Sequence, residues 1–194
     1  MKEAHKRSGR RLLLPLTKLL ARAGLTATGV TLFALPLAFG AGYLFATGRF
    51  IWAGVVLALV GLCDTLDGEL SRLTGTTSPR GAFLDSVVDR VGESATFVGI
   101  AWYFAWQEPL QAMLAVGALL LSLLVSYVRA RAEGVGYDCR VGWFERPTRF
   151  LILLFGTFVL GRTWLWVALA VIAAGSLVTV VHRTIHVLRQ GKRA

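Results

Sequence analysis

Apolar residues run through this chain in six long stretches, separated by short clusters of polar, glycine and proline positions. A helix needs about 20 mostly apolar residues to cross a bilayer. The stretches near 26–47, 50–73, 79–105, 109–133, 146–161 and 163–187 therefore predict six transmembrane helices. Short connections between them predict one all-α, polytopic membrane domain over 26–194, with no separate soluble domain. Residues 1–25 follow a different pattern. Leu12, Leu13, Leu14, Leu16, Leu19 and Leu20 are interleaved with Arg10, Arg11, Lys18 and Arg22. That mixture predicts a basic amphipathic helix lying in the membrane interface, started or broken at Pro15, and not a cleaved signal peptide. Gly24 is placed to end it, and Thr26 or Thr28 to cap the first span. No internal repeat and no low-complexity segment interrupts the pattern.

Composition agrees with a bilayer as the solvent. Hydrophobic residues make up 55% of the 194 and charged residues 16%, and the mean hydropathy is +0.62, which is the membrane class. A net charge of +10 suits nucleic acid as well, but its distribution argues for topology. With six spans both termini share a side. Of the 21 Lys and Arg residues, only Arg49 and Arg162 fall on the other side. This positive-inside pattern predicts cytoplasmic termini in a cell (inner) membrane, where the basic excess also meets anionic headgroups. No nucleic-acid partner is expected. Cys63 and Cys139 predict neither a disulfide, in a reducing compartment, nor a zinc site, for want of matched histidines.

Against this apolar background stand four aspartates: Asp64 and Asp67 at the end of the second stretch, Asp85 and Asp89 in the third. A carboxylate at membrane depth costs several kcal/mol, so such residues are rare and functional as a rule. Spacings of three and four put each pair on one helix face. The stripe Gly81, Asp85, Asp89, Glu93 continues the second face. Pro79 fits a first helical turn, and the polar link 74–78 is short enough to fold the two helices antiparallel. Two facing acidic stripes make an oxygen-rich pocket suited to a hard divalent cation. Gly68 and Gly81 leave those faces open for close approach of a ligand to the backbone, and Arg72 offers a planar fork for a phosphate oxygen.

The run from Asp64 to Asp89 resembles the signature of the CDP-alcohol phosphotransferase (CDP-alcohol phosphatidyltransferase) family, Asp-x2-Asp-Gly-x2-Ala-Arg-x8-Gly-x3-Asp-x3-Asp. Every spacing is kept, and one position departs, with Ser71 in place of alanine. The resemblance implies an enzyme that moves a phosphatidyl-type group from a CDP-activated lipid, CDP-diacylglycerol or CDP-archaeol, to an alcohol and releases CMP. It implies that Asp64, Asp67 and Asp85, with Asp89 beside them, hold a divalent metal, magnesium or alternatively manganese. Asp89 matches the proposed general base, and Gly68, Arg72 and Gly81 match positions that contact the CDP part. A homodimer is also usual in the family.

A second cluster bears on the acceptor. The fourth stretch ends Ser126-Tyr127-Val128-Arg129-Ala130-Arg131-Ala132-Glu133-Gly134, the fifth opens Glu145-Arg146-Pro147-Thr148-Arg149, and the last carries His182-Arg183. Arg129, Arg149 and Arg183, with Glu133 and Glu145 to orient them, suit an acceptor that already bears a phosphate. Arginines at cytoplasmic helix ends also serve topology alone. The two segments look like those of phosphatidylinositol phosphate synthases and their archaeal-lipid counterparts, so inositol phosphate is the favoured acceptor. Glycerol phosphate, as in phosphatidylglycerophosphate synthases, is the alternative. Two non-enzymatic readings are an ion or proton transporter using the carboxylates as a relay, and acids that merely pair with Arg72, Arg80 or Arg90.

Overall fold

The computed structural model describes residues 14–190. They form helices throughout: α1 (residues 14–22), α2 (Ala27–Ala46), α3 (Phe50–Thr74), α4 (Pro79–Phe104), α5 (Pro109–Gly134), α6 (Arg146–Phe155) continued by a π-helical turn over Gly156–Leu160, and α7 (Gly161–Gln190). Most of the predicted basic arm, including Arg10, Arg11, Leu12 and Leu13, lies outside the described residues. The remainder is helical, with Pro15 near its start. Leu20 and Ala21 pack on a small core of Val30, Leu66 and Leu70, while Leu14, Leu16 and Leu19 are exposed.

Local chemistry sets the boundaries. The Thr26 side chain accepts the Gly29 N–H at 3.1 Å and caps α2. Ser78 does the same for Gly81 at 3.1 Å, with Pro79 in the first turn of α4. Both caps satisfy amides that no helical carbonyl can reach.

The helices α2, α3, α5 and the stretch Arg146–Gln190 are long and apolar enough to cross a membrane. Arg80, Asp85, Asp89, Arg90 and Glu93 keep α4 below that standard, although it is as long. The last stretch is not one rod. Gly161 has φ 61°, which reverses the chain. A side chain at Gly156 would run into Ala168, which twelve residues of straight helix would hold about 18 Å away. So α6 and α7 form an antiparallel hairpin.

Contacts fix the rest of the arrangement. Helix α3 runs antiparallel to α2, with Thr31 against Asp67 at one end and Phe45 against Phe50 at the other. Helix α4 lies parallel to α2 and so close that a Cβ at Gly42 would strike the Ala95 carbonyl and one at Gly99 the Gly42 carbonyl. Small residues at such crossings let membrane helices approach backbone to backbone. Helices α5 and α7 pack extensively on each other.

The main core sits at the end away from the acids. Phe45, Phe50, Phe97, Ile100, Phe104, Leu165 and Leu169 are buried there among alanines, and Phe50 meets Tyr103 edge-on with ring centroids 4.9 Å apart. Trp52, Trp102, Trp106, Trp164 and Trp166 ring the same end with exposed faces, as aromatic side chains do at a membrane–water boundary. Only Trp143 of the six lies at the opposite end. That opposite end is left polar and open, and the site is built there.

Candidate active site

The last turns of α3 and the first turns of α4 cross where the link 75–78 joins them, so both acidic stripes face inward. Carboxylate oxygens of Asp64, Asp67 and Asp85 lie within 4.8 Å of one another. Three hard oxygen donors at that separation repel one another unless a cation sits among them, and their chemistry fits magnesium or manganese. Asp67 is the most enclosed. Its Oδ2 accepts a 2.7 Å hydrogen bond from the Thr31 hydroxyl of α2. Among the described residues neither Asp67 nor Asp85 has an Arg or Lys partner, which argues against acids serving merely as ion-pair partners.

The fourth aspartate is placed differently. Asp89 stands apart from the three clustered acids, and its Oδ1 forms an ion pair with Arg146 Nη2 at 2.9 Å. Its Oδ2 lies 3.7 Å from Arg90. Arg146 also reaches Asp64 Oδ1 through Nη1 at 3.1 Å, so one guanidinium bridges the two helices beside the triad. Sequence reasoning passed over Arg146 in favour of Arg149. It also passed over Thr31, for which no motif existed.

One cavity opens on this cluster, and a second reaches it through Arg146. The larger, about 510 Å³, is walled by Thr31, Asp67, Gly68, Ser71, Gly81 and Asp85. A Cβ on Gly68 would sit 3.3 Å from Arg72 Nη2, and one on Gly81 3.2 Å from Ser78 Oγ. Both glycines therefore keep the wall low. Arg72 covers Gly68 and bonds Glu69 at 2.9 Å on the exposed side of α3, outside the cavity wall. Ser71 donates to the Gly68 carbonyl at 3.1 Å, so the serine at the alanine position closes on its own helix.

The second cavity, about 350 Å³, lies on the α5–α6–α7 side, and Arg129, Arg149 and Arg183 all line it, together with Arg90 and Arg146. The three predicted arginines do converge, but two of them also hold the fold. Arg149 is 1% exposed. It grips Glu93 with Nε at 2.9 Å and Nη2 at 3.0 Å, and Nη1 donates to the Phe144 carbonyl at 2.9 Å. Glu93 is the next step of the Asp85–Asp89 stripe, and its partner was not legible in the sequence. Arg183, 2% exposed, donates to the carbonyls of Val125 at 2.7 Å and Val141 at 2.8 Å, and to Glu145 at 3.3 Å. Arg129 is more open and pairs with Glu133 at 2.9 Å and Glu145 at 3.6 Å, so both glutamates orient arginines as expected. The two cysteines are free, with Cys139, in the 135–145 loop, fully buried.

The CDP-alcohol phosphatidyltransferase family model matches residues 24–184. The chain is 37% identical to the phosphatidylinositol phosphate synthase of Mycobacteroides abscessus, over 90% of its own length and 82% of that protein's. It is 34% identical to the archaetidylinositol phosphate synthase of Methanothermobacter thermautotrophicus, over 88% and 87%. Crystal structures of the Mycobacterium tuberculosis phosphatidylinositol phosphate synthase superpose closely. The complex with CDP-DAG has a TM-score of 0.84 at 31% identity, covering 91% of this chain and 94% of that one. The complex with manganese and citrate also scores 0.84, covering 90% and 88%.

Proposed function

Because this chain belongs to the CDP-alcohol phosphatidyltransferase family, we propose a division of labour among its residues in moving a phosphatidyl-type group from a CDP-activated lipid to inositol phosphate. Asp64, Asp67 and Asp85 hold the divalent metal, with Asp89 at the edge of the set. When bound, magnesium or manganese neutralises the diphosphate oxygens and stabilises the charge that builds on the departing nucleotide. The CDP part occupies the 510 Å³ cavity, against Gly68 and Gly81, and Arg72, which lies over Gly68 outside the cavity wall, turns to its phosphates. The acceptor occupies the 350 Å³ cavity, its phosphate facing Arg129, Arg149 and Arg183. An arginine carries five N–H donors, and the bonds named above use three on Arg149 and three on Arg183, so each keeps donors for a ligand.

The acceptor hydroxyl oxygen attacks the lipid-side phosphorus, Asp89 takes its proton, and the bridging P–O bond breaks to release CMP. Asp89 suits that role because it faces both the acid cluster and the arginine cavity through Arg146. The observation that carries the reading is a glycine-walled cavity that opens on the acidic cluster, with an arginine-lined cavity reaching the same acids through Arg146. It favours an enzyme over a transporter, since the opposite end of the bundle is filled by aromatic core.

The chain is read as six spans: α2 to α5, then α6 with its π turn, and α7. Both termini and the site face the cytoplasm of a cell membrane, α1 lies in the interface, and two copies pair as a homodimer. The test is a panel assay. Purified protein with magnesium and CDP-diacylglycerol is offered inositol phosphate, glycerol phosphate, inositol or serine, and CMP is measured. Release that depends on inositol phosphate supports the reading. Release with glycerol phosphate alone replaces the acceptor, and release with an unphosphorylated alcohol overturns the role of the arginines.

A further inference from the structure

Among the described residues, Arg146 is the one guanidinium that borders both the cleft between the aspartates and the arginine-lined cavity. Its neighbours make the side chain the movable part. Glu145 before it is held by Arg183 and Arg129. Pro147 fixes the first turn of α6, and Arg149 three residues on is locked bidentately to Glu93. The backbone of Arg146 is thus pinned on both sides. Its side chain is 20% exposed, whereas those of Arg149 and Arg183, held by more bonds, are 1% and 2% exposed. It occupies one oxygen of Asp89 at 2.9 Å, while the other oxygen faces Arg90.

We propose that Arg146 selects a phosphate-bearing acceptor over water, by leaving Asp89 for the acceptor's phosphate. This rests on the acceptor reading above. Without acceptor, Asp89 Oδ1 is covered by Arg146 and is closed to the proton of a water molecule beside the donor. A phosphate monoester entering the 350 Å³ cavity offers the same fork more charge and two oxygens. The guanidinium turns to it and Asp89 is uncovered only once an acceptor hydroxyl is present. This is selection by induced fit. The reaction avoided is hydrolysis, in which a water oxygen bonds to the lipid-side phosphorus, the bridging P–O bond breaks, CMP leaves, and the lipid departs as its phosphate monoester.

The experiment measures CMP and both lipid products from the magnesium-loaded full chain, with and without inositol phosphate, for wild type, Arg146→Ala and Arg146→Lys. CDP-lipid binding and inositol phosphate binding to metal-free protein are measured in parallel. In Arg146→Ala, acceptor-free CMP release rises about tenfold, the hydrolysis-to-transfer ratio rises with it, and inositol phosphate binds about tenfold more weakly. Arg146→Lys, with charge but no fork, lies between. An unchanged ratio and unchanged acceptor binding, with CDP-lipid binding retained, overturns the proposal. If the alanine variant does not fold, the lysine variant decides: a ratio above wild type supports the proposal and a wild-type ratio overturns it. Wild-type turnover with inositol phosphate, combined with a flat ratio in the variants, sinks this inference and leaves the acceptor reading standing. Failure of wild type with every phosphorylated acceptor sinks that reading instead.

Discussion

The Thr31 hydroxyl of α2 donates to Asp67 Oδ2 of α3 at 2.7 Å, so a residue outside the signature orients a carboxylate within it. Outer partners of metal-holding carboxylates typically account for 10–100-fold in metal affinity. Thr31→Val should therefore raise the magnesium concentration for half-maximal CMP release by about tenfold or more. Chelation should abolish release in wild type, and either magnesium or manganese should restore it. Wild-type magnesium dependence in Thr31→Val would remove Thr31 from the site.

Asp89 sits beside the triad and not within it. Asp89→Asn should lower CMP release by about 10²–10⁴-fold, the range of a lost general base, while CDP-lipid binding persists. Asp67→Asn should weaken CDP-lipid binding together with the metal. Equal loss of lipid binding in the two variants would refute the base assignment.

Arg149 has two roles that separate by substitution. Arg149→Ala strands Glu93, and leaving one partner of a buried pair alone costs about 3–5 kcal/mol. Its melting temperature should fall clearly. Arg149→Lys keeps a charge near Glu93 but loses the bidentate fork. That variant should raise the acceptor Michaelis constant far more than the CDP-lipid one, and equal rises would deny Arg149 an acceptor role.

Burial pushes the Cys139 thiol above its usual value, which lowers the reactive thiolate at any pH below that value. The loop that carries it is tied down by Arg183 through the Val141 carbonyl. In a Cys63→Ser background, Cys139 should resist alkylation at pH 8. Adding Arg183→Lys, which has no second arm for Val125, should speed labelling about tenfold, measured by mass spectrometry. Equal labelling would show that Arg183 does not secure the loop.

The helices and the triad were legible because their causes are local. The predicted 26–47 became Ala27–Ala46 and 50–73 became Phe50–Thr74, since apolar runs and caps at Thr26 and Ser78 fix helix ends without reference to the rest of the chain. Spacings of three and four brought Asp64, Asp67 and Asp85 together for the same reason. Arg146 was not legible as the partner of Asp89. Its position depends on Arg183 and Arg129 holding Glu145 across three helices, and nothing in the local pattern distinguishes it from Arg149. The π turn at Gly156–Leu160 likewise answers to packing against α7 and not to the run of apolar residues that contains it.

The two cavities share no lining residue: Gly68 and Gly81 line only one, Arg129 and Arg183 only the other. That separation dictates the order of events at steady state. Neither substrate blocks the entrance of the other, so both are resident before any bond changes, and no lipid is parked on a side chain between half-reactions. Double-reciprocal plots at several fixed acceptor levels should intersect rather than run parallel. Added CMP should compete with the CDP-lipid and act as a mixed or noncompetitive inhibitor toward the acceptor.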